Sequence, residues 1–127
     1  MTNLEKLFYT EDHQWVNVKG KKAYIGITDY GQELFGDIGF IDLPDNEEQF
    51  EKGEAYVVVD GLNIACDVCI PLDGKVLLTN EILSDNPAVI NDSPYNNWII
   101  LIELDDKNQL EDLLSYSEYE SICEKEK

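Results

Sequence analysis

Short alternating runs of apolar and polar residues, separated by turns rich in glycine, proline and asparagine, dominate this chain. Trp15 to Val18 alternates, Lys19-Gly20-Lys21-Lys22 interrupts, and Ala23 to Ile27 resumes, which predicts an antiparallel hairpin. Thr28 stands as an N-cap ahead of Asp29 and Glu33, predicting a short helix through about Phe35 that Gly36 ends. Asp37 to Leu43 alternates again and stops at Pro44, and residues 45–53 read as an acidic loop. Ala55 to Val59 is almost continuously apolar, so a strand covered on both faces is expected. Asp60-Gly61-Leu62-Asn63 forms the turn and Ile64 to Ile70 the return strand. Pro71-Leu72-Asp73-Gly74 is a further turn, and Lys75 to Thr79 a further strand. Asn80 to Val89 holds a short helix broken before Pro87, and 91–97 is a turn-rich loop. Trp98 to Leu104 reads as the last and central strand. Asp106 or Asn108 caps a C-terminal helix with Leu110, Leu113, Leu114 and Ile122 on its apolar face. Trp15 and Trp98 are expected as core anchors, and Tyr116 and Tyr119 as partly exposed packing residues. Many short strands with tight turns point to a mainly β fold, a small barrel or sandwich.

Composition narrows the class. A length of 127 residues predicts one domain over 1–127, with 1–7 (a loose end or short turn) and 124–127 frayed. Such a chain buries a core without disulfides or metal. Its 43% hydrophobic content, with 10% aromatics, is that of a folded globule. The net charge of −18, from 27 acids against 9 lysines, repels phosphate backbones and anionic lipid heads. Nucleic acid and membrane are therefore poor partners, and a basic protein a better one. No stretch is long or apolar enough to span a bilayer, and the first residues lack a secretion signal's apolar core. A cytoplasmic location and reduced thiols at Cys66, Cys69 and Cys123 are expected.

Little points to an enzyme. One histidine, no arginine and no Ser-His-Asp set, phosphate loop or paired catalytic carboxylates leave few catalytic groups. Cys66-Asp67-Val68-Cys69 has redox spacing, but on an extended strand such residues sit roughly 10 Å apart, beyond disulfide reach. It also lacks the helix N-terminus that activates such thiols. A metal site would need His13 and the three cysteines to converge without supporting ligand spacing, so none is expected.

Ordered segments along the chain carry a resemblance. Tyr9 to Val16 (YTEDHQWV), Gly26 to Pro44 (GITDYGQELFGDIGFIDLP), Val57 to Pro71 (VVVDGLNIACDVCIP), Asp73 to Leu83 (DGKVLLTNEIL) and Asn86 to Leu104 (NPAVINDSPYNNWIILIEL) resemble the glycine cleavage system H proteins. The resemblance spans about residues 8–122. It implies a barrel-sandwich hybrid of antiparallel strands, lipoyl-domain-like, with a C-terminal helix and an exposed hairpin whose tip lysine carries lipoate. It also implies a carrier, not an enzyme. The lipoyl arm accepts an aminomethyl group from the glycine cleavage decarboxylase and shields it in a surface cleft. It then serves the aminomethyltransferase and is reoxidised by the dihydrolipoyl dehydrogenase.

The departures centre on the hairpin. The family's lysine position falls on Asn63, and no lysine lies between Lys52 and Lys75. An asparagine side chain is an amide without a basic nitrogen, so it cannot form the lipoyl amide. Asp60 and Asp67 keep the acids before and after the tip, while Gly61 and Ile64 differ from the usual residues beside the lysine. Gln14 replaces a usual glutamate after His13, and Asn96-Asn97 replaces a glycine-rich approach to Trp98. His13, Gln14, Asp60, Ile64 and Asp67 are the candidate docking or cleft residues. No cofactor is then expected. The expected role is a non-carrying interaction or regulatory module for glycine cleavage or lipoate-handling enzymes. Two alternatives stay open: an ordinary aminomethyl carrier with a mutated attachment residue, and a thiol-based module using Cys66 and Cys69.

Overall fold

The computed structural model describes residues 3–126. A six-stranded antiparallel sheet is built from β1 (Phe8–Tyr9), β2 (Gln14–Lys19), β3 (Lys22–Ile27), β5 (Gln49–Phe50), β8 (Gly74–Thr79) and β9 (Ile100–Leu104). Its spatial order is β1-β2-β3-β9-β8-β5. A second, three-stranded sheet has the order β4-β6-β7, formed by β4 (Ile38–Asp42), β6 (Ala55–Gly61) and β7 (Ala65–Cys69). Four helices join or flank them: α1 (Asp29–Phe35), α2 (Ile82–Asp85), α3 (Val89–Asp92) and α4 (Tyr116–Glu126). The mainly β barrel-sandwich architecture is as the sequence implies. No helix among the described residues is long and apolar enough to cross a membrane.

Period-two patterning explains which faces meet. Ala23, Ile25 and Ile27 of β3 point into the same core as Ile100 and Ile102 of β9 and Val76 of β8. Ile41, Val57, Val59 and Val68 of the small sheet close that core from the other side. On β6, Tyr56 and Val57 are both buried although neighbours. A bulge between Ala55 and Val57 explains it by breaking the strict alternation. A second cluster of Leu7, Tyr9, Trp15, Tyr119 and Cys123 seats α4 on the outer face of the large sheet. Trp15 needs Gly26 opposite it: a Cβ there would meet the indole at 2.6 Å.

Several expectations change. Two-residue strand β1 follows directly on the segment 1–7 read as a loose end, β5 lies within the segment 45–53 read as an acidic loop, and α3 enters the segment read as a loop from 91. The expected C-terminal helix divides into a 3₁₀ segment (Lys107–Asp112), capped by the Asp106 side chain, and α4. Between them Leu114 exchanges backbone hydrogen bonds with Tyr9, which extended backbone allows and a continuous helix forbids. Leu110 and Leu113 still pack on the main core. Tyr119 is buried, not partly exposed, because it stacks on Tyr9 with centroids 4.8 Å apart. At the ends, Leu4–Lys6 forms a 3₁₀ turn, Leu7 is buried, and α4 continues to Glu126 where fraying was expected. Residues 1, 2 and 127 lie outside the described residues.

Candidate functional site: the β6–β7 hairpin and its flanks

The hairpin forms because β6 and β7 pair from Ala55↔Cys69 to Asp60↔Ala65. Its closure is the Gly61 amide donating to the Ile64 carbonyl at 2.9 Å. Leu62, Asn63 and Ile64 make the tip, with Leu62 79% and Ile64 45% exposed. Asn63 is exposed as well, and Asp60 lies just below it, also exposed.

The tip is held to the loop between α1 and β4. The Leu62 amide donates to the Asp37 carbonyl (2.9 Å) and the Asn63 amide to the Phe35 carbonyl (2.8 Å). The Asn63 side chain lies over Gly36: a Cβ on that glycine would sit 2.7 Å from Asn63 Nδ2. Gly36 has φ +75° and ψ −160°, a backbone region essentially confined to glycine. Asn91 braces this loop from α3. Its Nδ2 donates to Gln32 Oε1 (2.8 Å) and the Gly36 carbonyl (2.9 Å), and its Oδ1 accepts from the Ile38 amide (2.9 Å). Nothing near Asn91 in the chain marks it for this role, because its partners lie more than fifty residues away.

The other candidate residues scatter. Gln14 is buried, its Nε2 donating to the Cys69 carbonyl (2.8 Å) and its Oε1 accepting from Tyr56 Oη (2.7 Å). Its Nε2 also lies 3.2 Å from both Asp12 carboxylate oxygens. With Asp12, Lys52, Cys69 and Asp112 it lines a cleft of about 340 Å³. That cleft lies at the far end of β7 from Asn63, a strand spanning ~13 Å between Ala65 and Cys69. Asp67 is exposed and lines a separate depression with Phe50 and Val58. His13 is not with them. Buried at φ +69°, it turns its ring to the C-terminal helix, with Nδ1 2.7 Å from Tyr119 Oη and Nε2 3.0 Å from Glu126 Oε2. Tyr119 Oη in turn sits 2.6 Å from Thr28 Oγ1, which accepts the Gly31 amide as the N-cap of α1. His13 therefore ties α4 to α1.

The thiols form no disulfide. Cys66 and Cys69 are exposed and Cys123 buried, all unpaired. Strand β7 runs unbroken through Cys66 and Cys69. Burial first, then the negative charge of Asp67, Asp12 and Cys69, pushes the Cys66 thiol up, away from the reactive thiolate. Among the described residues no group of three or more His, Cys, Asp or Glu side chains is placed to hold a metal ion. The lysines that bracket the hairpin sit off it. Lys52 Nζ pairs with Asp112 at 3.3 Å, and Lys75 Nζ with Glu47 at 3.3 Å.

Known proteins share this arrangement. The family model described as "Glycine cleavage H-protein" matches residues 7–126. A glycine cleavage system H protein of Clostridium botulinum (strain Okra / Type B1) is 44% identical over 124 residues, 98% of this chain and 95% of that protein. One from Thermoanaerobacter sp. (strain X514) is 44% identical over 126 residues, 99% of this chain and 100% of that protein. The crystal structure of a glycine cleavage system H protein from Mycobacterium marinum superposes with a TM-score of 0.82 at 28% identity, covering 92% of this chain and 95% of that one. The chain belongs to the glycine cleavage H-protein family, a family of carriers and not catalysts that works with the glycine decarboxylase, aminomethyltransferase and dihydrolipoyl dehydrogenase.

Proposed function

We propose that this chain is an H-protein homologue that does not carry lipoate and acts as an interaction or regulatory module for glycine cleavage or lipoate-handling enzymes. The observation that carries this reading is Asn63 at the exposed tip between β6 and β7. Lipoyl attachment takes an amine, and residue 63 offers only an amide whose side chain is folded onto Gly36. No substitute amine lies on the hairpin, since Lys52 and Lys75 belong to other ion pairs. The residues present therefore do not fit covalent lipoate, and no transfer step runs through this site. The surface beside the tip is acidic, with Asp37 and Asp60 exposed next to it and Asp67 exposed further along β7, and this reading takes it as a docking surface. Such a surface occupies a partner's site without delivering a group, so it competes with a lysine-bearing H protein.

The test is the intact mass of the protein made in its host with lipoate supplied, beside Asn63→Lys, together with a reconstituted glycine cleavage assay. The expected result is an unmodified wild type, a lipoylated variant, and slowed turnover when wild type is added to a true H protein. A lipoyl group on the wild type overturns the reading. So does wild-type protein that neither binds these enzymes nor alters their turnover.

A further inference from the structure

Helix α1 holds the hairpin tip at its C-terminal end and lines a different cavity at its N-terminal end. This cavity, about 280 Å³, opens between α1, the Tyr95 loop and α4. Its walls include four tyrosines, Tyr30, Tyr95, Tyr116 and Tyr119. Three of them are half-buried: each packs against the second cluster with part of its surface and lines the cavity with the rest. Four carboxylate side chains, Asp29, Glu33, Glu120 and Glu124, also line it, and no basic residue among the described ones does.

The walls are fixed from behind. Tyr119 Oη is engaged by Thr28 and His13. Tyr95 Oη accepts the Asp29 amide at 3.2 Å, and its ring faces Trp15 at 6.3 Å. Tyr116 leans on Tyr9 at 5.7 Å and Tyr30 on His13 at 4.8 Å. A ligand therefore meets rings already ordered, and little rotamer entropy is left to lose. Burial and neighbouring negative charge hold all four phenols above their ordinary range, so the rings are neutral at pH 7. The carboxylates are not gathered as metal ligands anywhere among the described residues. They act instead as a negative field around an aromatic recess.

We propose that this cavity binds an organic cation, the ammonium or guanidinium head of a basic side chain on a protein partner. A cation over tyrosine faces gains from the ring quadrupole, and the surrounding carboxylates add a field that a neutral group cannot use. The chain's −18 charge selects basic partners at long range, and this recess gives them one defined point of contact. The site is independent of whether Asn63 carries anything, so the two readings fail separately.

The probes are N-acetyl-lysine methylamide, N-acetyl-arginine methylamide, their uncharged norleucine counterpart and tetramethylammonium, titrated into the intact chain and followed by NMR of the tyrosine rings. Both basic amides are expected to give saturable shifts at Tyr30 and Tyr95, and the norleucine amide none. Tyr30→Leu weakens binding roughly two- to thirty-fold, as loss of a cation–π wall does. Glu124→Gln, an exposed position that leaves the fold intact, weakens it in the same direction and keeps the test decisive if Tyr30→Leu does not fold. Equal binding of the norleucine amide overturns the proposal, as do unsaturable shifts scattered over the acidic surface or variants that bind as the wild type does. Tighter binding of tetramethylammonium than of both basic amides overturns the assignment to a side chain.

Discussion

Replacing Gly61 with alanine tests whether the hairpin tip and the α1–β4 loop are fitted to each other. Gly61 is not among the left-handed glycines, so backbone freedom is not what the position needs. It needs space. A Cβ there would lie 2.7 Å from the Phe35 carbonyl carbon and 2.8 Å from Phe35 Cβ, and the Phe35 carbonyl oxygen is closer still. Backbone at such separations cannot be tolerated, so the strand or the loop must move. The movement strains the Leu62–Asp37 and Asn63–Phe35 hydrogen bonds that seat the tip. Overpacking of this kind costs about 1–3 kcal/mol. The alanine returns about 0.4–1 kcal/mol by stiffening the unfolded chain. Because the clash is with backbone the cost belongs in the upper half of that range, about 2–3 kcal/mol, so the net loss is ~1–2.5 kcal/mol, a fall in Tm of roughly 3–10 °C for a domain of this size. Thermal unfolding reads the loss, and hydrogen exchange at the Leu62 and Asn63 amides locates it. An unchanged or raised Tm with both amides still protected would refute the packing argument.

Asn91→Ala should loosen the same loop from behind, costing ~1–3 kcal/mol for stranded polar groups and speeding exchange at Leu62 and Asn63; unchanged exchange there would detach Asn91 from the tip. Gln14→Glu keeps an acceptor for Tyr56 but loses the donor to the Cys69 carbonyl and sets a second carboxylate beside Asp12. Its acid is protonated more readily folded than unfolded, so the penalty of ~1–3 kcal/mol belongs above the unfolded pKa of about 4.3 and shrinks below it. Urea midpoints at pH 4 and pH 7 should show that difference, and a variant equal to wild type at pH 7 contradicts it. Tyr9, Tyr56 and Tyr119 are buried with hydroxyls pushed above 10, by burial first in each case. The unfolded chain releases these protons near pH 10 while the folded chain keeps them. Their stabilisation is complete below that pH, and each removes up to ~1.4 kcal/mol per further pH unit above it. Denaturant midpoints from pH 9 to 11 should fall steeply, less so in Tyr9→Phe, and a flat profile rules the argument out.

The sequence announces what is local and hides what is remote. The β2–β3 hairpin, the Thr28 cap and the Gly36 stop are visible because each is a contact between near neighbours. The tip at residues 62–64 is visible for the same reason. Strands β1 and β5 are two residues long and exist only through their partners, so no period betrays them. Leu114 looks helical by spacing, and Tyr9, over a hundred residues away, draws it into extended backbone. The resemblance makes His13 a candidate docking or cleft residue, and the structure turns its ring, on left-handed backbone, to Tyr119 and Glu126. Hydroxyl and imidazole partners at such separations leave no pattern in a single sequence. The C-x-x-C spacing shows the reverse error: a motif plain in the sequence that an unbroken strand leaves unpaired.

The hairpin bears on how Asn63 came to be there. A lone lysine-to-asparagine change in an otherwise ordinary carrier would leave the surrounding residues at the family's pattern. Here the resemblance implies departures at Gly61 and Ile64 beside the tip and at Gln14 in the cleft beyond β7. The departures also fit their surroundings. Gly61 has no Cβ where the Phe35 carbonyl comes closest. Asn63 lays its amide on Gly36, where a lysine would have to leave that seat to expose its amine. Gln14 satisfies Tyr56 and the Cys69 carbonyl beside an Asp12 carboxylate that a glutamate would repel. At the tip these fits make its seating on Gly36 and Phe35, more than the identity of residue 63 alone, the property that Asn63→Lys and Gly61→Ala should be compared on.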